Sequence, residues 1–396
     1  MKKLLILGGS DLQVKLIKQA VDLGYHIITC DYLPNNPGHK YSHQYYNVST
    51  VDKNGVLDLA KKLNVDGVLA YASDPAAPTA AWVCEKLGLP ANPYRSVEIL
   101  SRKDLFRQFL EENGFLTPKA RSFTDYDEAF YYFKELNTNA IIKPVDSSGS
   151  KGIFILKKGN EFRELFNLAI SFSKLGFVII EEFVEKKGFQ IGGDGFLVDG
   201  KLVFRCFGDI HFSKTNALLP CSVSVPTMHN SVIVEKVHKT IQDILTKLGM
   251  KMGGLNFDVI IDINDNVYII EIGPRNGGNL LPELIEYCTG VDMKYYAIKS
   301  ALAEDCCDLK MTYENKYFSH YVIHSHKDGK LKNIIKTDYL NQHLLYEHYN
   351  VEIGQQVNSF QNSSNRLGMM LLKYNEKQEM LDFIYNMDKF LILEVS

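Results

Sequence analysis

The sequence predicts an α/β protein whose first part is a doubly wound parallel sheet. Short apolar runs alternate there with amphipathic helical segments, and polar residues cluster where the apolar runs end. Strands that alternate with helices favour a parallel sheet with helical crossovers. The chain of 396 residues is too long for one ordinary hydrophobic core, so roughly two to four domains are expected.

Each apolar run in the N-terminal part has the length of a short buried strand. Each helical segment repeats apolar residues three and four positions apart. Gly24 is expected to end the first helix, because glycine readily adopts the left-handed conformation favoured at that position. The predicted elements are strands at 3–7, 25–30 and 65–70 and helices at 12–23 and 76–87.

The first strand leads into Gly8-Gly9-Ser10, a turn that invites comparison with dinucleotide-binding proteins. Their fingerprint needs a third glycine and close backbone approach, whereas this chain has Asp11 and Gln13. We therefore expect the turn to contact a small substrate. Asp74 follows the 65–70 strand, at the edge where open α/β sheets bind ligands. It is predicted either to receive a substrate amine or to cap the next helix.

A small α/β lid is predicted at about 117–184, after a helix at 96–114 that carries Lys103. Within the lid, Lys143 ends an apolar run, and Pro144 blocks continuation of the strand. A lysine at the end of a buried strand is costly unless it meets an anion. Lys143 is therefore predicted to bind phosphate.

The segment after that strand is a loop rich in serine and glycine. Its backbone N–H groups, hydroxyls and one ammonium can surround phosphate oxygens as an anion nest. The spacing is not that of a P-loop. The loop residues predicted to contact phosphate are Ser147, Ser148, Gly149, Ser150, Lys151 and Gly152.

Two carboxylates and an arginine suit a site for metal and phosphate. Glu271 follows the apolar run 267–270, and Asp258 lies thirteen residues upstream of it. The Asp-Asn turn at 265–266 predicts a hairpin that brings the two strands together. Carboxylates are hard oxygen ligands for Mg²⁺, so both are predicted to bind metal. Arg275 is predicted to pair with a developing phosphoryl or carboxylate charge.

A second hairpin, with the turn Asp199-Gly200, precedes a stretch rich in polar side chains that includes Arg205 and His211. Both are candidates for substrate binding, although a lone histidine is more often structural.

The final part of the chain predicts a small α/β domain. Its predicted elements are strands at 317–323 and 369–372 and a helix at 376–386.

Together these motifs resemble the ATP-grasp superfamily of carboxylate–amine ligases, with its amino-acid ligases, biotin carboxylase and phosphoribosylglycinamide synthetase-type enzymes. The resemblance extends over the chain up to its C-terminal domain, with the motifs in the expected order. The segments that carry it are Ser101-Arg-Lys-Asp-Leu-Phe-Arg107, Ala140-Ile-Ile-Lys-Pro144, Asp146-Ser-Ser-Gly-Ser-Lys-Gly152, Glu181-Glu-Phe-Val184 and Glu271-Ile-Gly-Pro-Arg-Asn-Gly-Gly-Asn279.

The resemblance implies an ATP-grasp fold with a preATP-grasp domain at 1–98, an ATP-grasp domain at 99–305 and a small C-terminal α/β domain at 306–396. The implied cofactors are ATP and Mg²⁺, with Mn²⁺ as an alternative. The implied ATP contacts are Lys103, Lys143, the loop residues 147–152, Glu181, Glu182, Phe183, Val184 and Gln190. The implied substrate contacts are Asp74, Arg205, His211, Arg275, Asn276, Gly277 and Asn279.

Two positions depart from the family pattern. Gln190 stands where a glutamate usually holds the ribose hydroxyls. An amide can still hydrogen-bond a ribose, and Glu182 is the alternative for that role. Gly273 stands where an asparagine commonly adds a metal ligand. Either Asn276 or Asn279 replaces that ligand, water fills the position, or metal affinity is reduced.

Composition narrows the class of protein. The formal net charge is −3 and no long basic run is present, which argues against a nucleic-acid partner. Seven cysteines without a Cys-x-x-Cys pair favour free thiols and a cytoplasmic location. No apolar run approaches the ~20 residues of a membrane span. The expected partners are a small-molecule carboxylate and an amine, and a homodimer is left open.

The predicted function is an ATP-dependent ligase that activates a small carboxylate as an acyl phosphate and joins it to an amine. Arg275 and Lys143 are its predicted catalytic residues. A nicotinamide-dependent oxidoreductase would use the first domain, but the missing third glycine and the distal motifs speak against it. A non-catalytic nucleotide-binding protein of the same fold is kept open by Gln190 and Gly273.

Overall fold

The computed structural model describes residues 1–159, 161–312 and 316–396. Within them, four sheets are surrounded by helices. The strands are β1 (Lys3–Leu7), β2 (His26–Cys30), β3 (Gln44–Tyr46), β4 (Gly67–Leu69), β5 (Ala120–Phe123), β6 (Ala140–Pro144), β7 (Phe154–Leu156), β8 (Val178–Glu182), β9 (Gln190–Val198), β10 (Lys201–Ser213), β11 (Asn216–Val225), β12 (Gly253–Ile261), β13 (Val267–Gly273), β14 (Tyr317–Ile323), β15 (Gly329–Lys336), β16 (Leu344–Tyr349), β17 (Gln356–Val357), β18 (Gly368–Tyr374) and β19 (Leu391–Val395).

The helices separate into those that cover the first sheet, those of the lid and those that pack on the large sheet. They are α1 (Val14–Asp22), α2 (Lys53–Leu63), α3 (Ala77–Leu87), α4 (Tyr94–Ser101), α5 (Lys103–Glu112), α6 (Tyr126–Leu136), α7 (Phe162–Ser171), α8 (Ser231–Lys247), α9 (Leu281–Thr289), α10 (Met293–Ala301), α11 (Asp338–His343) and α12 (Lys377–Tyr385). None of these helices is long and apolar enough to cross a membrane.

The first sheet is parallel, in the order β3-β2-β1-β4. Leu4 and Ile6 of β1 pack on α1 and α10, whereas Leu5 and Leu7 pack on α2 and α3. Helices therefore cover both faces, and the predicted doubly wound parallel sheet is confirmed. Because α10 belongs to this core, one helical layer of the first sheet is completed by a helix from much later in the chain.

The lid is an antiparallel sheet in the order β5-β8-β6-β7. Its apolar core contains Phe123 together with Phe162 and Phe166 of α7. Strand β6 ends at Pro144, as the sequence predicts, and the serine- and glycine-rich loop connects β6 to β7. The lid therefore places the predicted phosphate lysine and the predicted phosphate loop side by side.

The large sheet has the order β13-β12-β9-β10-β11-β14-β18-β16. Both predicted hairpins, β9–β10 and β12–β13, lie in it. Along β9, Ile191 and Leu197 face α8, whereas Phe196 faces α9 on the other side. Asp194 shares the α9 side, because alternate residues of a strand point to the same face.

The C-terminal strands divide between two sheets. Strands β14, β16 and β18 extend the large sheet across the predicted boundary at 305, and β17-β15-β19 form a separate small sheet. Leu331 of β15 and Phe383 of α12 share one core with Tyr321 of the large sheet. The division of the chain at 305 stays a prediction, and the C-terminal segment is structurally continuous with the large sheet.

The single helix predicted at 96–114 is wrong, since α4 and α5 are separated at Arg102. This residue is extended, with φ −122° and ψ 118°, and its guanidinium binds Asp104 of the next helix. The break leaves the backbone N–H of Lys103 free to donate to the carbonyl of Val145 at 3.0 Å. The interruption therefore starts α5 at Lys103, beside the end of the lid strand β6.

Candidate active site

The two predicted metal ligands lie opposite each other in the β12–β13 hairpin. Asp258 and Glu271 are paired across the strands, and directly paired residues carry their side chains on the same face. The turn is closed by Asp262, whose carboxylate accepts the backbone N–H groups of Asn264 and Asn266 at 2.8 Å each. The register set by this turn pairs Val259 with Ile269, and a bulge between Asp258 and Val259 then shifts it by one residue, so that Glu271 rather than Ile270 lies opposite Asp258.

The surroundings of Asp258 suit a bound cation. Burial raises the pKa of Asp258 to about 6; the amide of Gln190, which donates to it, acts in the opposite direction, and the charge of Glu271 adds to the increase. Within the described ranges, no group of three or more His, Cys, Asp or Glu is arranged to hold a metal. Mg²⁺ fits a pair of carboxylates, because it usually takes one or two together with phosphate oxygens and water.

Arg275 follows this hairpin in the chain and forms an ion pair with Asp74. Its Nε donates to the Asp74 carboxylate at 2.7 Å, and a second guanidinium nitrogen contacts the same oxygen. Burial opposes the charge, yet Asp74, Glu271 and Asp194 outweigh it and raise the pKa of Arg275. The side chain of Asp74 caps no helix, so that alternative is wrong. Two predicted site residues are thus joined across 201 positions of sequence.

The same guanidinium explains the glycine at 273. A Cβ on Gly273 would lie 3.1 Å from Cζ of Arg275, so a larger residue would require the arginine to shift by a few tenths of an ångström. Asn276 is 2% exposed and donates to Asp194, and Asn279 accepts from a C-terminal arginine at 2.8 Å. The oxygen of Asn279 is thus engaged, whereas Asn276 uses only its nitrogen in this contact. Asn276, water or a lower metal affinity remain the alternatives for the missing ligand.

A buried carboxylate that the sequence analysis missed holds the glycine turn. Asp194 accepts the backbone N–H of Gly277 at 2.8 Å and the side-chain amide of Asn256 at 2.9 Å. A Cβ on Gly277 would lie 2.8 Å from the same carboxylate, which explains the glycine. A single acid inside the apolar strand 190–198 was the available signal, because a buried charge requires partners.

The charge state of Asp194 gives a test by pH. Burial raises the pKa of Asp194 to about 6 despite these hydrogen bonds, whereas an unfolded aspartate titrates near 3.9. The folded state therefore binds the proton more tightly, and this contribution to the unfolding free energy is lost as pH rises from about 4 to 6. We expect the stability of wild type relative to Asp194→Asn to fall by about 2–3 kcal/mol over that range.

Urea unfolding of the wild type and of Asp194→Asn at pH 4 and pH 7 measures this difference. The comparison between the two proteins removes the contributions of all other carboxylates. A constant difference at both values would mean that Asp194 titrates like an exposed aspartate.

The predicted phosphate lysine belongs to a buried ion cluster. Lys143 Nζ lies 2.7 Å from Glu181, and Arg107 Nε lies 3.1 Å from the other oxygen of the same carboxylate. Burial opposes the ionisation of Glu181, but the two cations outweigh it and lower the pKa of Glu181 to about 2. Arg107 also donates to the carbonyl of Ile270 at 2.9 Å. Glu181 therefore orients Lys143 from within the protein.

The sequence analysis missed Arg107, although the residue lies inside the first lysine motif. Its spacing of four positions from Lys103 on one helix was the available signal, because residues so spaced share a helix face. The cluster of Arg107, Glu181 and Lys143 links α5, the lid strand β8 and, through Ile270, the metal-ligand strand β13. It fixes the position of the lid lysine relative to the carboxylate hairpin.

Removing the anion of this cluster is expected to destabilise the protein. Glu181→Gln leaves the charges of Arg107 and Lys143 buried without their partner, a change that costs about 3–5 kcal/mol. Denaturant unfolding without nucleotide measures it. Glu182→Gln, one position along the same strand, is the control and should change stability by less than about 0.5 kcal/mol. Equal stability of the two variants would contradict the assigned role.

The other predicted lysine contacts the phosphate loop directly. The ammonium of Lys103 donates to the carbonyl of Ser147 at 2.5 Å. Gly149 and Gly152 have φ of 69° and 72°, a left-handed conformation that glycine adopts without strain. The backbone N–H of Ser363 donates to the carbonyl of Gly149 at 3.2 Å. The loop is therefore bounded by α5 on one side and by the C-terminal segment on the other.

The predicted adenine hinge follows strand β8. The backbone N–H groups of Glu182 and Phe183 donate to the carbonyls of Lys119 and Asn139 at 2.9 and 3.0 Å. These two donors are therefore engaged within the lid. The N–H of Val184 forms no hydrogen bond with the residues that the structure describes, so it is the hinge donor open to a ligand.

Arg205 and His211 lie away from this site, which corrects two predicted substrate contacts. Arg205 pairs with Gly195 of β9, and it therefore points to the face opposite Asp194. Its guanidinium binds Glu235 of α8. His211 shares that face, where its Nε2 lies 2.8 Å from the hydroxyl of Ser224. The alternation of strand β10 turns both side chains away from the carboxylate hairpin.

A lid with a buried lysine and a glycine-rich loop, set against a sheet with paired carboxylates, defines the ATP-grasp class of proteins. Residues 100–279 match the ATP-grasp domain family. This part of the chain is therefore an ATP-grasp domain, as the sequence motifs indicate.

Individual proteins of known sequence and structure agree with this assignment. The formate-dependent phosphoribosylglycinamide formyltransferase of Wolinella succinogenes is 28% identical over 276 residues, which cover 69% of this chain and 70% of that protein. Phosphoribosylglycinamide synthetase from Anaerococcus prevotii has a TM-score of 0.78 at 24% identity, with 100% of both chains covered. L-amino acid ligase from Bacillus licheniformis has a TM-score of 0.83 at 18% identity, covering 100% of this chain and 99% of that one.

Proposed function

We propose that this protein is an ATP-dependent ligase that joins a small-molecule carboxylate to an amine through an acyl phosphate. The observation that carries the proposal is the pairing of Asp258 with Glu271 beside the Arg275–Asp74 ion pair. This arrangement offers a cation site and a guanidinium at one place, as transfer of a phosphoryl group to a carboxylate requires.

The chemistry proceeds in two displacements. A carboxylate oxygen of the first substrate attacks the γ-phosphorus of ATP, the bond to the β–γ bridging oxygen breaks, and ADP leaves. The amine then attacks the acyl carbon, and inorganic phosphate leaves with the bonding electrons of the acyl–oxygen bond. When bound, Mg²⁺ supplies charge neutralisation of the phosphates. Arg275 orients the attacking carboxylate through its planar guanidinium.

The lid residues have defined tasks in this proposal. Lys143 and Lys103 hold phosphate oxygens through their ammonium groups. Glu181 orients Lys143, and Lys103 lies beside Ser147. The backbone N–H of Val184 donates a hydrogen bond to the edge of the adenine ring. Because the amide of Gln190 donates to Asp258, we assign the ribose hydroxyls to Glu182. Closure of the lid excludes water, which would hydrolyse the acyl phosphate.

The loop at 147–152 should become protected when nucleotide binds. It contains serine, glycine and lysine and has few apolar contacts of its own, so phosphate oxygens are expected to order it. Hydrogen exchange of residues 146–153 with and without Mg-ATP measures the effect. The lid segment around α6 serves as an internal reference, and equal exchange of the loop in both states would contradict its assignment.

The nicotinamide-dependent alternative has no support. A Cβ on Gly9 would lie 2.2 Å from the imidazole of His39, and a Cβ on Gly8 would lie 2.6 Å from the amide of Gln13. The turn is therefore packed against side chains of this chain. Dinucleotide-binding turns leave that space to the pyrophosphate.

A non-catalytic nucleotide-binding protein is the remaining alternative, and turnover separates it from a ligase. We expect ADP release when Mg-ATP is offered with amino acids and small carboxylates in pairs, and none when either member is omitted. Replacing Mg²⁺ by Mn²⁺ should retain activity, because both ions take oxygen ligands. ATP binding without ADP release over the whole library would favour the non-catalytic alternative. Light scattering of the same preparation tests whether the protein is a homodimer.

A further inference from the structure

A cavity of about 300 Å³ lies beside the glycine turn, away from the lid. It is enclosed by the beginning of α1, the beginning of α9 and the C-terminal strands β16 and β18. Its lining includes Gly277 and Gly278 of the turn that follows Arg275. The side chains that matter below are Leu12, Lys15, Tyr71, Glu283, Tyr346 and Met369. The cavity therefore adjoins the segment that follows Arg275.

Glu283 contributes a carboxylate that no donor contacts directly. The residue is 8% exposed, and it takes part in no hydrogen bond or ion pair of the described residues. The nearby Lys294 is committed to Glu286 and Asp292, at 2.6 and 3.1 Å. Lys15 and Lys294 attract this carboxylate by charge without contacting it. A buried carboxylate without a hydrogen-bond donor is costly, so its position on the cavity wall indicates a cationic group of a ligand.

Tyr71 contributes a second buried group without a partner. It is 2% exposed, and its hydroxyl has no hydrogen bond among the described residues. Its backbone carbonyl accepts from the side chain of Gln13 at 2.9 Å, which fixes the residue at the end of the first sheet. Buried tyrosine hydroxyls usually find a partner, and here the cavity offers the space for one.

Lys15 supplies the opposite charge on the same wall. Its ammonium lies 3.7 Å from the ring centroid of Tyr346, and no carboxylate of the described residues lies within ion-pair distance of it. The cavity therefore combines an ammonium and a carboxylate that attract each other by charge but form no direct ion pair. Leu12 and Met369 add an apolar surface between them.

We propose that this cavity binds a free amino acid as a zwitterion. Glu283 and the hydroxyl of Tyr71 receive its ammonium group, Lys15 receives its carboxylate, and Leu12, Tyr346 and Met369 contact an apolar side chain. The inference rests on the proposed ligase function and names the substrate class of that same site. Glu283, Lys15 and Tyr71 then determine specificity rather than the phosphoryl transfer.

Calorimetric titration of the full chain with L-leucine, L-methionine and L-phenylalanine, in the presence of Mg-ADP, tests the binding directly. Each amino acid is compared with its decarboxylated amine and with its 2-hydroxy acid analogue. Glu283→Gln should weaken binding of the amino acid and the amine by about 10- to 100-fold, because a charged hydrogen bond is lost, and should leave the hydroxy acid unchanged. Lys15→Met should weaken the amino acid and the hydroxy acid and leave the amine unchanged.

Glu286→Gln is the matched control, since Glu286 lies on the same helix but is committed to Lys294. It should not change the affinity for any of the three compounds. Absence of amino-acid binding to the wild type, or an equal loss for all three compounds in Glu283→Gln, overturns the inference. Amino-acid binding without ADP release would instead count against the ligase function, and ADP release without amino-acid binding would retain the ligase and reject the zwitterion site.

Discussion

Replacement of Glu271 by alanine is expected to abolish ATP turnover while leaving the protein folded. The side chain is half-buried at the end of β13, directly opposite Asp258. Its removal takes one of two carboxylates from a site that would hold the cation, and the remaining ligand cannot fix its position. We expect turnover below 1% of wild type, on the order of the 10²- to 10³-fold loss that follows removal of one transition-state contact.

Steady-state ADP release and thermal unfolding, measured on the same preparation, test this expectation. Glu394→Ala, an exposed glutamate in strand β19, is the matched control and should retain both activity and stability. Without metal or nucleotide, Glu271→Ala should unfold close to wild type, since the lost charge also relieves repulsion of Asp258. Wild-type turnover in Glu271→Ala would remove Glu271 from the site.

Replacement of Arg275 by lysine is expected to lower kcat by about 10²-fold with ATP affinity almost unchanged. Lysine keeps the positive charge and its attraction to Asp74, but it loses the planar fork that grips two oxygens at once. In the structure Nε and a terminal nitrogen both face one oxygen of Asp74, so the arginine has a fixed direction before any substrate arrives. Lysine cannot reproduce that direction.

The variant Asp74→Asn tests whether Asp74 acts only by positioning Arg275. If Asp74 only orients Arg275, its replacement should lower kcat less than Arg275→Lys does, because the guanidinium and its charge remain. Calorimetric titration with Mg-ADP checks that nucleotide binding is intact in both variants. Near wild-type kcat in Arg275→Lys would mean that Arg275 serves as the structural partner of Asp74, and a large loss of folded protein would lead to the same conclusion.

Gly273, which stands where the family commonly has an asparagine, affects both the cation site and the arginine. A Cβ at position 273 would lie 3.1 Å from the guanidinium carbon of Arg275, a tight contact. An asparagine there would add an oxygen ligand for metal but require the arginine to shift by a few tenths of an ångström. The chain therefore combines two carboxylate ligands with an arginine held close to them.

Much of this arrangement follows from the sequence by itself. The alternating apolar runs predicted the parallel sheet, and the turn residues predicted both hairpins, because turn chemistry depends on a few adjacent residues. The order of the lysine, loop and carboxylate motifs indicated the superfamily. The pairing of Asp258 with Glu271 does not follow from the turn alone, because the register of the turn would place Ile270 opposite Asp258 and a bulge shifts it by one residue.

Only the tertiary structure decided which polar groups meet across long distances of sequence. The contact between Arg275 and Asp74, the charges that surround Glu181, and the buried position of Asp194 depend on how three sheets pack together, and no local pattern encodes that packing. Arg205 is an example. Its segment is as polar as the other motifs, but side chains alternate between the two faces of a strand. A shift of one position therefore decides whether a residue faces the site. The sequence determined which chemistry was available, and long-range packing selected the residues brought together to perform it.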